Sequence, residues 1–144
     1  MTETILQIGD LKITLAASDR GANAIIGADP EWLHCHVAVQ ARTFTGSFNW
    51  AVMPNELVSL ANDLCGLHDQ FPKRGTVNFE GVEPNLSLSF NVGHRGEVQV
   101  KFSAQDQFSD SIILQGSFDT DQDMLLNVAN QLRGFVRSVM GGAT

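Results

Sequence analysis

Residues 76–103 read TVNFEGVEPNLSLSFNVGHRGEVQVKFS, and apolar residues occupy every second position through three runs of this stretch. Alternation with a period of two is typical of β-strands that have one buried and one exposed face. The tetrad Gly93-His94-Arg95-Gly96 joins the last two runs as a short hairpin loop, because glycine tolerates the positive φ that such loops need. The stretch therefore predicts an antiparallel meander that is apolar on one face only.

The same alternation predicts strands on both sides of this meander. Residues 6–15 alternate around Gly9-Asp10, which predicts a hairpin with a type II′ turn. Strands are also predicted over Trp32–Arg42, Phe44–Trp50 and Ile112–Phe118. The apolar positions change parity between the first two of these, and we favour a tight turn over a bulge as the cause, since a one-residue slip exchanges the faces of a strand.

Two segments have the longer period of a helix. The apolar residues of the first recur at i, i+3, i+4, i+7 and i+8, which predicts an amphipathic helix over Pro54–His68. The second helix begins after the capping segment Thr120–Asp123 and continues to Val139, before Gly141-Gly142.

These elements predict the α+β fold class for one domain spanning residues 1–144. We expect a two-layer structure, an antiparallel β-sheet meander with both amphipathic helices packed on one face, because the apolar stripes of the helices and the apolar faces of the strands need a common cover. The other sheet face is then flat and polar. Its predicted residues are Asn78, Glu80, Ser87, Ser89, Asn91, Gln99, Lys101, Ser103, Gln115 and Ser117.

The bulk composition limits the class of function. Apolar residues make up 43% of the 144 residues and charged residues 17%, as in ordinary globular proteins. The formal net charge of −7 argues against nucleic acid and against an anionic membrane surface as partners, and it suits a basic protein. No apolar run is long enough for a membrane span and no signal peptide is evident, so we expect a cytoplasmic protein.

Metal and cofactor chemistry is not expected. His34 and His36 point the same way from alternate strand positions, but a metal site needs a third and usually a fourth ligand. Cys65 and His68 lie on the helix that should cover the opposite face, so the expected geometry argues against their completing such a site. Cys35 and Cys65 are expected to be free thiols on apolar faces.

No catalytic group is expected either. The sequence has no Gly-x-Ser-x-Gly elbow, and it has no exposed cysteine in a basic setting. Glu80 and Glu83 have the chemistry of an acid/base pair, but they flank a turn, where carboxylates are usually only solvated. The alternative left open is a small-molecule- or metal-binding protein, or a hydrolase, that uses the polar sheet face and its histidines.

Four pieces of the chain together resemble one bacterial family, the WapI-type immunity proteins. They are Glu31–Leu33, Phe44–Phe48, Phe79–Leu86 and Phe118–Leu125, and the resemblance extends from about residue 29 to residue 139. The segment Glu83-Pro84-Asn85-Leu86 is the most specific of them. One departure is Met53-Pro54, which stands where the family usually has a small polar cap before the first helix.

The resemblance implies a non-enzymatic protein that binds a cognate toxin domain, often a nuclease, and blocks its active site. Opposite charges speed such an encounter and add specificity, and many nucleases are basic. The candidate contacts are four acidic residues and one tryptophan: Asp29, Glu31, Glu80, Glu83 and Trp32. Trp32 is either an exposed anchor or a strand-end side chain packed over its own loop. Self-association through the polar face is a further alternative, so the sequence assigns no oligomeric state.

Overall fold

A computed structural model describes residues 2–17, 32–106 and 112–141 of the chain. Its elements, in order, are β1 (Thr2–Ile8), β2 (Leu11–Ala17), β3 (Leu33–Ala41), β4 (Phe44–Val52), α1 (Pro54–Asp69), β5 (Gly75–Glu80), β6 (Leu86–Val92), β7 (Glu97–Gln105), β8 (Ile113–Asp121) and α2 (Asp123–Val139). Every strand pairing is antiparallel. The predicted α+β class, the three-strand meander and both helices are confirmed.

The strands form two sheets instead of the single layer that the sequence predicted. One sheet has the order β1-β2-β3-β4 and the other the order β5-β6-β7-β8, and a helix follows each sheet. The division occurs at α1, because this helix separates β4 from β5 and the two strands do not pair. The arrangement ββββα is therefore present twice among the described elements.

Each helix packs against the first strand of the sheet that it does not follow. Helix α1 contacts β5, helix α2 contacts β1, and the two helices contact each other. This arrangement replaces the predicted placement of both helices on one face of a single sheet. No helix among the described residues is long and apolar enough to cross a membrane.

The apolar faces of most strands lie in the core, as the alternation predicts, but β8 has no fully buried residue and Phe44, predicted on the core side of β4, is 68% exposed beside the turn. Leu88 and Phe90 of β6 are 3% and 0% exposed, and the intervening Ser89 is half-buried on the other face. The buried residues of both sheets and both helices form one contiguous cluster. The ten polar residues predicted for the outer face of the second sheet are all exposed or half-buried.

Both predicted tight turns of the first sheet are present. Gly9 has φ +56° in the two-residue turn between β1 and β2. Arg42 has φ +57° in the turn between β3 and β4, so a turn and not a bulge produces the change in parity. The two turns are joined on the surface by the Arg42 guanidinium, which lies 2.9 Å from the Asp10 carboxylate.

Two glycine substitutions are expected to change stability in opposite directions. Gly9→Ala should lower the free energy of unfolding by roughly 1–2 kcal/mol or more, because its φ is left-handed. A Cβ atom at that position would also lie 2.7 Å from the Phe118 ring. Gly66→Ala should raise the free energy of unfolding by about 0.5–1 kcal/mol, because it lies within α1 and its Cβ would meet nothing within 4 Å. Urea unfolding of both variants tests the pair, and equal effects would contradict it.

Candidate functional site

Three of the five predicted contact residues lie at one end of the molecule. Trp32 immediately precedes Leu33, which pairs with Val52 at the end of β4. The carboxylate of Glu83 reaches the same end, since its Oε1 accepts a hydrogen bond of 3.0 Å from the backbone N–H of Ala51. Glu80 is the last residue of β5 and is exposed. Asp29 and Glu31 lie outside the described residues.

The β5–β6 turn is fastened to β4 by both the side chain and the backbone of Glu83. The carbonyl oxygen of Glu83 accepts a 2.9 Å hydrogen bond from Trp50 Nε1. The Trp50 ring in turn packs edge-on against Phe79, at a centroid distance of 6.2 Å. Gly81 is required beside this ring, because a Cβ there would lie 2.9 Å from it. The Glu83 side chain, predicted as a solvated turn carboxylate, therefore also holds the turn in place.

Glu56 joins the same turn to the first helix. Its Oε2 accepts a 2.7 Å hydrogen bond from the N–H of Met53, the residue that caps α1, and its Oε1 accepts a 2.8 Å bond from the N–H of Val82. A glutamate in the third helical position commonly satisfies the cap residue in this way. Glu56 thus caps the N-terminus of α1 at Met53-Pro54, although the helix lacks a small polar cap residue.

Removing this bridge is expected to loosen the turn. Glu56→Ala should lower the free energy of unfolding by about 1–3 kcal/mol, because two backbone donors lose a charged acceptor. Glu80→Ala removes a neighbouring exposed carboxylate and should change stability by less than about 0.5 kcal/mol. Chemical denaturation measures both values. Equal stability of the Glu56→Ala variant and the unmodified chain would rule out the bridge.

An acidic groove runs between α1 and β5 next to this turn. It is lined by Asn55, Glu56, Ser59, Leu60, Asp63, Asn78, Phe79 and Glu80, so three carboxylates and no lysine or arginine line it. The adjacent Val82 is exposed over 65% of its surface. We define the acidic end as Glu56, Asp63, Glu80, Val82 and Glu83. Apart from the small apolar area of Val82, this surface offers negative charge and hydrogen-bond acceptors.

Sequence reasoning identified Glu80 and Glu83 but missed the rest of the acidic end. Glu56, Ser59 and Asp63 recur at i, i+3 and i+7, so they share one face of α1 beside its apolar stripe. That spacing was available in the sequence. The sequence does not show that these residues lie next to Glu80, because that position depends on the contact between α1 and β5.

The two histidines of β3 do not gain further ligands. His34 and His36 are exposed on the same strand face, and His36 Nδ1 lies 3.2 Å from Asn49 Oδ1. In the described part of the chain, no group of three or more His, Cys, Asp or Glu side chains is arranged to hold a metal ion. These residues therefore give no support to the alternative of metal-dependent hydrolysis.

Both cysteines are free, as predicted. Burial raises the pKa of Cys35 to about 11, so its thiol is neutral at physiological pH. Cys65 is half-buried on α1, and its Sγ accepts a hydrogen bond of 3.4 Å from Arg133 of α2. The same guanidinium donates to Asn62 Oδ1 at 2.8 Å, so this contact joins the two helices.

A protein-family model matches most of the sequence. The model of the "Immunity protein WapI-like family" matches residues 4–139. No curated protein matches the chain.

Similar solved structures share little sequence with the chain. The "plant transcriptional regulator PBF-2" is 9% identical with a TM-score of 0.45, and covers 98% of this chain and 83% of its own. WHY1 from Arabidopsis thaliana is 9% identical with a TM-score of 0.46, and the match covers 98% of this chain and 92% of WHY1. A protein of unknown function from the DUF155 family of Prochlorococcus sp. NATL2A is 11% identical with a TM-score of 0.39, and the match covers 93% of this chain and 98% of that protein. Likeness at this level carries no information about what this chain binds.

Proposed function

The chain belongs to the WapI-like immunity protein family, and from this membership we propose that it neutralises a cognate toxin domain by binding it directly. The match over residues 4–139 is the observation that carries the proposal. The chain acts by occupying the toxin, without chemistry of its own. It does so in the cytoplasm, where a toxin that enters or is made in the cell would otherwise act.

The acidic end is the surface that we assign to the toxin. Its carboxylates lie together beside the exposed Val82, in a chain whose net charge is −7. Such a surface attracts a basic partner and repels acidic ones, which raises the association rate and the specificity together. A nuclease domain is the favoured partner, because proteins that bind phosphate backbones concentrate Lys and Arg around their sites.

The predicted contact residues divide into two roles in this proposal. Glu80 contacts the toxin directly, since it is exposed at the rim of the groove. Trp32 extends the same surface, because it is positioned beside the end of β4. Asp29 and Glu31, which lie outside the described residues, stay predicted contacts. Glu83 contributes charge and also holds the β5–β6 turn on which the surface is built.

Coexpression with the toxin tests the proposal. The toxin domain for this test is the C-terminal domain of a large toxin encoded by a gene next to that for this chain, as the proposal requires. It is expressed alone and together with the chain. We expect the toxin domain to arrest growth, the chain to restore growth, and the two proteins to copurify. Failure to protect cells from this domain would refute the proposal, and protection without copurification would refute direct binding.

A further inference from the structure

The β5–β6 turn, residues 81–85, is attached at its tip to two other elements of the fold. On one side, the N–H of Val82 donates a 2.8 Å hydrogen bond to the carboxylate of Glu56 in α1. On the other side, β4 donates two hydrogen bonds to Glu83, one to its carbonyl oxygen and one to its carboxylate. Exposed turns are commonly among the more mobile parts of a protein, but these bonds fix the two residues at the tip of this one.

The ends of the turn are fixed as well. The carbonyl oxygen of Asn85 accepts a 2.7 Å hydrogen bond from the N–H of Gln105 in β7, and its Nδ2 donates to the Gln105 carbonyl at 3.2 Å. At the other end, Gly81 lies so close to the Trp50 ring that a Cβ would be 2.9 Å from it. Helix α1 and strands β4 and β7 therefore define the conformation of this turn together.

Val82 is the apolar side chain that the turn presents to solvent. It is 65% exposed, although valine is among the residue types most often buried. Because its backbone is fixed and its side chain is branched at Cβ, Val82 has few conformations to lose on entering a partner's pocket. The carboxylates of Glu56 and Glu83 already accept backbone N–H groups of this chain, so they offer a partner charge more than free hydrogen-bonding positions.

We propose that Val82 is the apolar anchor of the toxin-binding surface and enters an apolar pocket of the cognate toxin domain. The inference rests on the proposed function and adds the chemistry of the partner's site. Glu80 and Glu83 flank Val82 in the sequence, and Glu80 is exposed, so lysine or arginine residues border the pocket. An apolar centre with a polar rim is the usual arrangement of protein interfaces, and the residues that contribute most to affinity cluster near the centre.

Trp50 is a positioning residue for this anchor. It is 2% exposed, and its Nε1–H holds the carbonyl oxygen of Glu83, the residue next to Val82. Trp50→Phe removes this donor and keeps an aromatic ring beside Phe79. In the free chain, hydrogen exchange followed by NMR should find the Val82 N–H protected, and about fivefold less protected in the Trp50→Phe variant. A Val82 N–H that exchanges as fast as in an unstructured peptide, or equally in the two chains, would overturn this part of the proposal.

Calorimetric titration tests the anchor, with the purified toxin domain of the coexpression experiment as the probe. Val82→Thr keeps the shape of the side chain and replaces one methyl group with a hydroxyl group. It should raise the dissociation constant about tenfold, because the hydroxyl group would be buried in an apolar pocket. Phe44→Thr is the control, because Phe44 is 68% exposed at the start of β4 and the turn lies beside the end of that strand. This variant removes more exposed apolar area and should change the dissociation constant less than about twofold.

Val82 and Trp50 are coupled in this proposal. Val82→Thr should weaken toxin binding less in the Trp50→Phe background than in the unmodified chain, whereas a general loss of stability would leave that ratio unchanged. Unchanged toxin affinity of Val82→Thr, or equal losses in Val82→Thr and Phe44→Thr, would overturn the inference and leave the proposed function standing. Failure of the unmodified chain to bind the toxin domain would refute the proposed function and the inference with it.

Discussion

Replacing Asp63 and Glu80 together with lysine is expected to weaken binding of the cognate toxin domain by about 100-fold, or about 3 kcal/mol. Both carboxylates line the groove between α1 and β5, and neither is among the backbone acceptors that hold the β5–β6 turn. Reversing their charge turns attraction of a basic surface into repulsion. Calorimetric titration of the toxin domain with the double variant measures the loss, which should appear mainly as slower association in kinetic binding assays.

The matched control changes the net charge by the same amount elsewhere. Asp10 pairs with Arg42 in the β1–β2 turn region, and Glu97 accepts the N–H of Arg95 in the β6–β7 hairpin, so both are exposed and lie away from the groove. The dissociation constant of the Asp10→Lys, Glu97→Lys variant for the toxin should lie within about threefold of that of the unmodified chain. Salt screens the interaction between the toxin and charges that lie far from the binding surface. Equal weakening by both double variants would show that total charge, and not the acidic end, controls binding.

Phe90→Ala is expected to give the largest loss of stability among single substitutions, about 3–5 kcal/mol. Phe90 is 0% exposed in the central strand β6, and its removal leaves a cavity between the sheets and helices that the surrounding core cannot fill. Thermal or urea unfolding followed by circular dichroism measures the change. A loss of this size is a large part of the stability of a typical domain, so the variant should also accumulate poorly in cells.

Ser89→Ala is the control for this substitution, because Ser89 is the neighbouring residue on the other face of β6 and is half-buried. We expect it to change the free energy of unfolding by less than about 0.5 kcal/mol. Similar losses for both variants would contradict the assignment of one face of β6 to the core.

The local structure of this chain could be predicted from the sequence because each element carries its own period. The alternation from Leu86 to Val92 placed Phe90 in the core, and the parity change before Phe44 indicated the turn at Arg42. Helix α1 was predicted from Pro54 and ends one residue beyond the predicted His68. These features depend on neighbours within a few residues, which the sequence displays directly.

The division into two sheets could not be predicted in the same way. Alternation identifies a strand but does not choose its partner, so nothing in β4 or β5 reveals that they belong to different sheets. The repeated ββββα order was also not visible in the sequence. Corresponding strands of the two halves share the alternation of apolar residues, but they need not share the residues themselves.

The candidate site was hidden for the same reason. Glu83 has the sequence context of a solvated turn carboxylate, and its bonds to Ala51 and Trp50 arise only when the turn meets β4. Asp63 and Glu80 approach one groove only after α1 packs against β5. Contacts between distant segments therefore decide the surface chemistry, although local patterns decide the elements.

The most direct test of the central claim is a titration of the purified toxin domain's activity with increasing amounts of this chain. Stoichiometric binding predicts that toxin activity falls linearly, disappears at one copy per toxin domain, and returns when the complex is separated under mild denaturing conditions. Inactivation of many toxin molecules by one copy, permanent loss of activity after separation, or undiminished activity at excess chain would contradict neutralisation by direct binding.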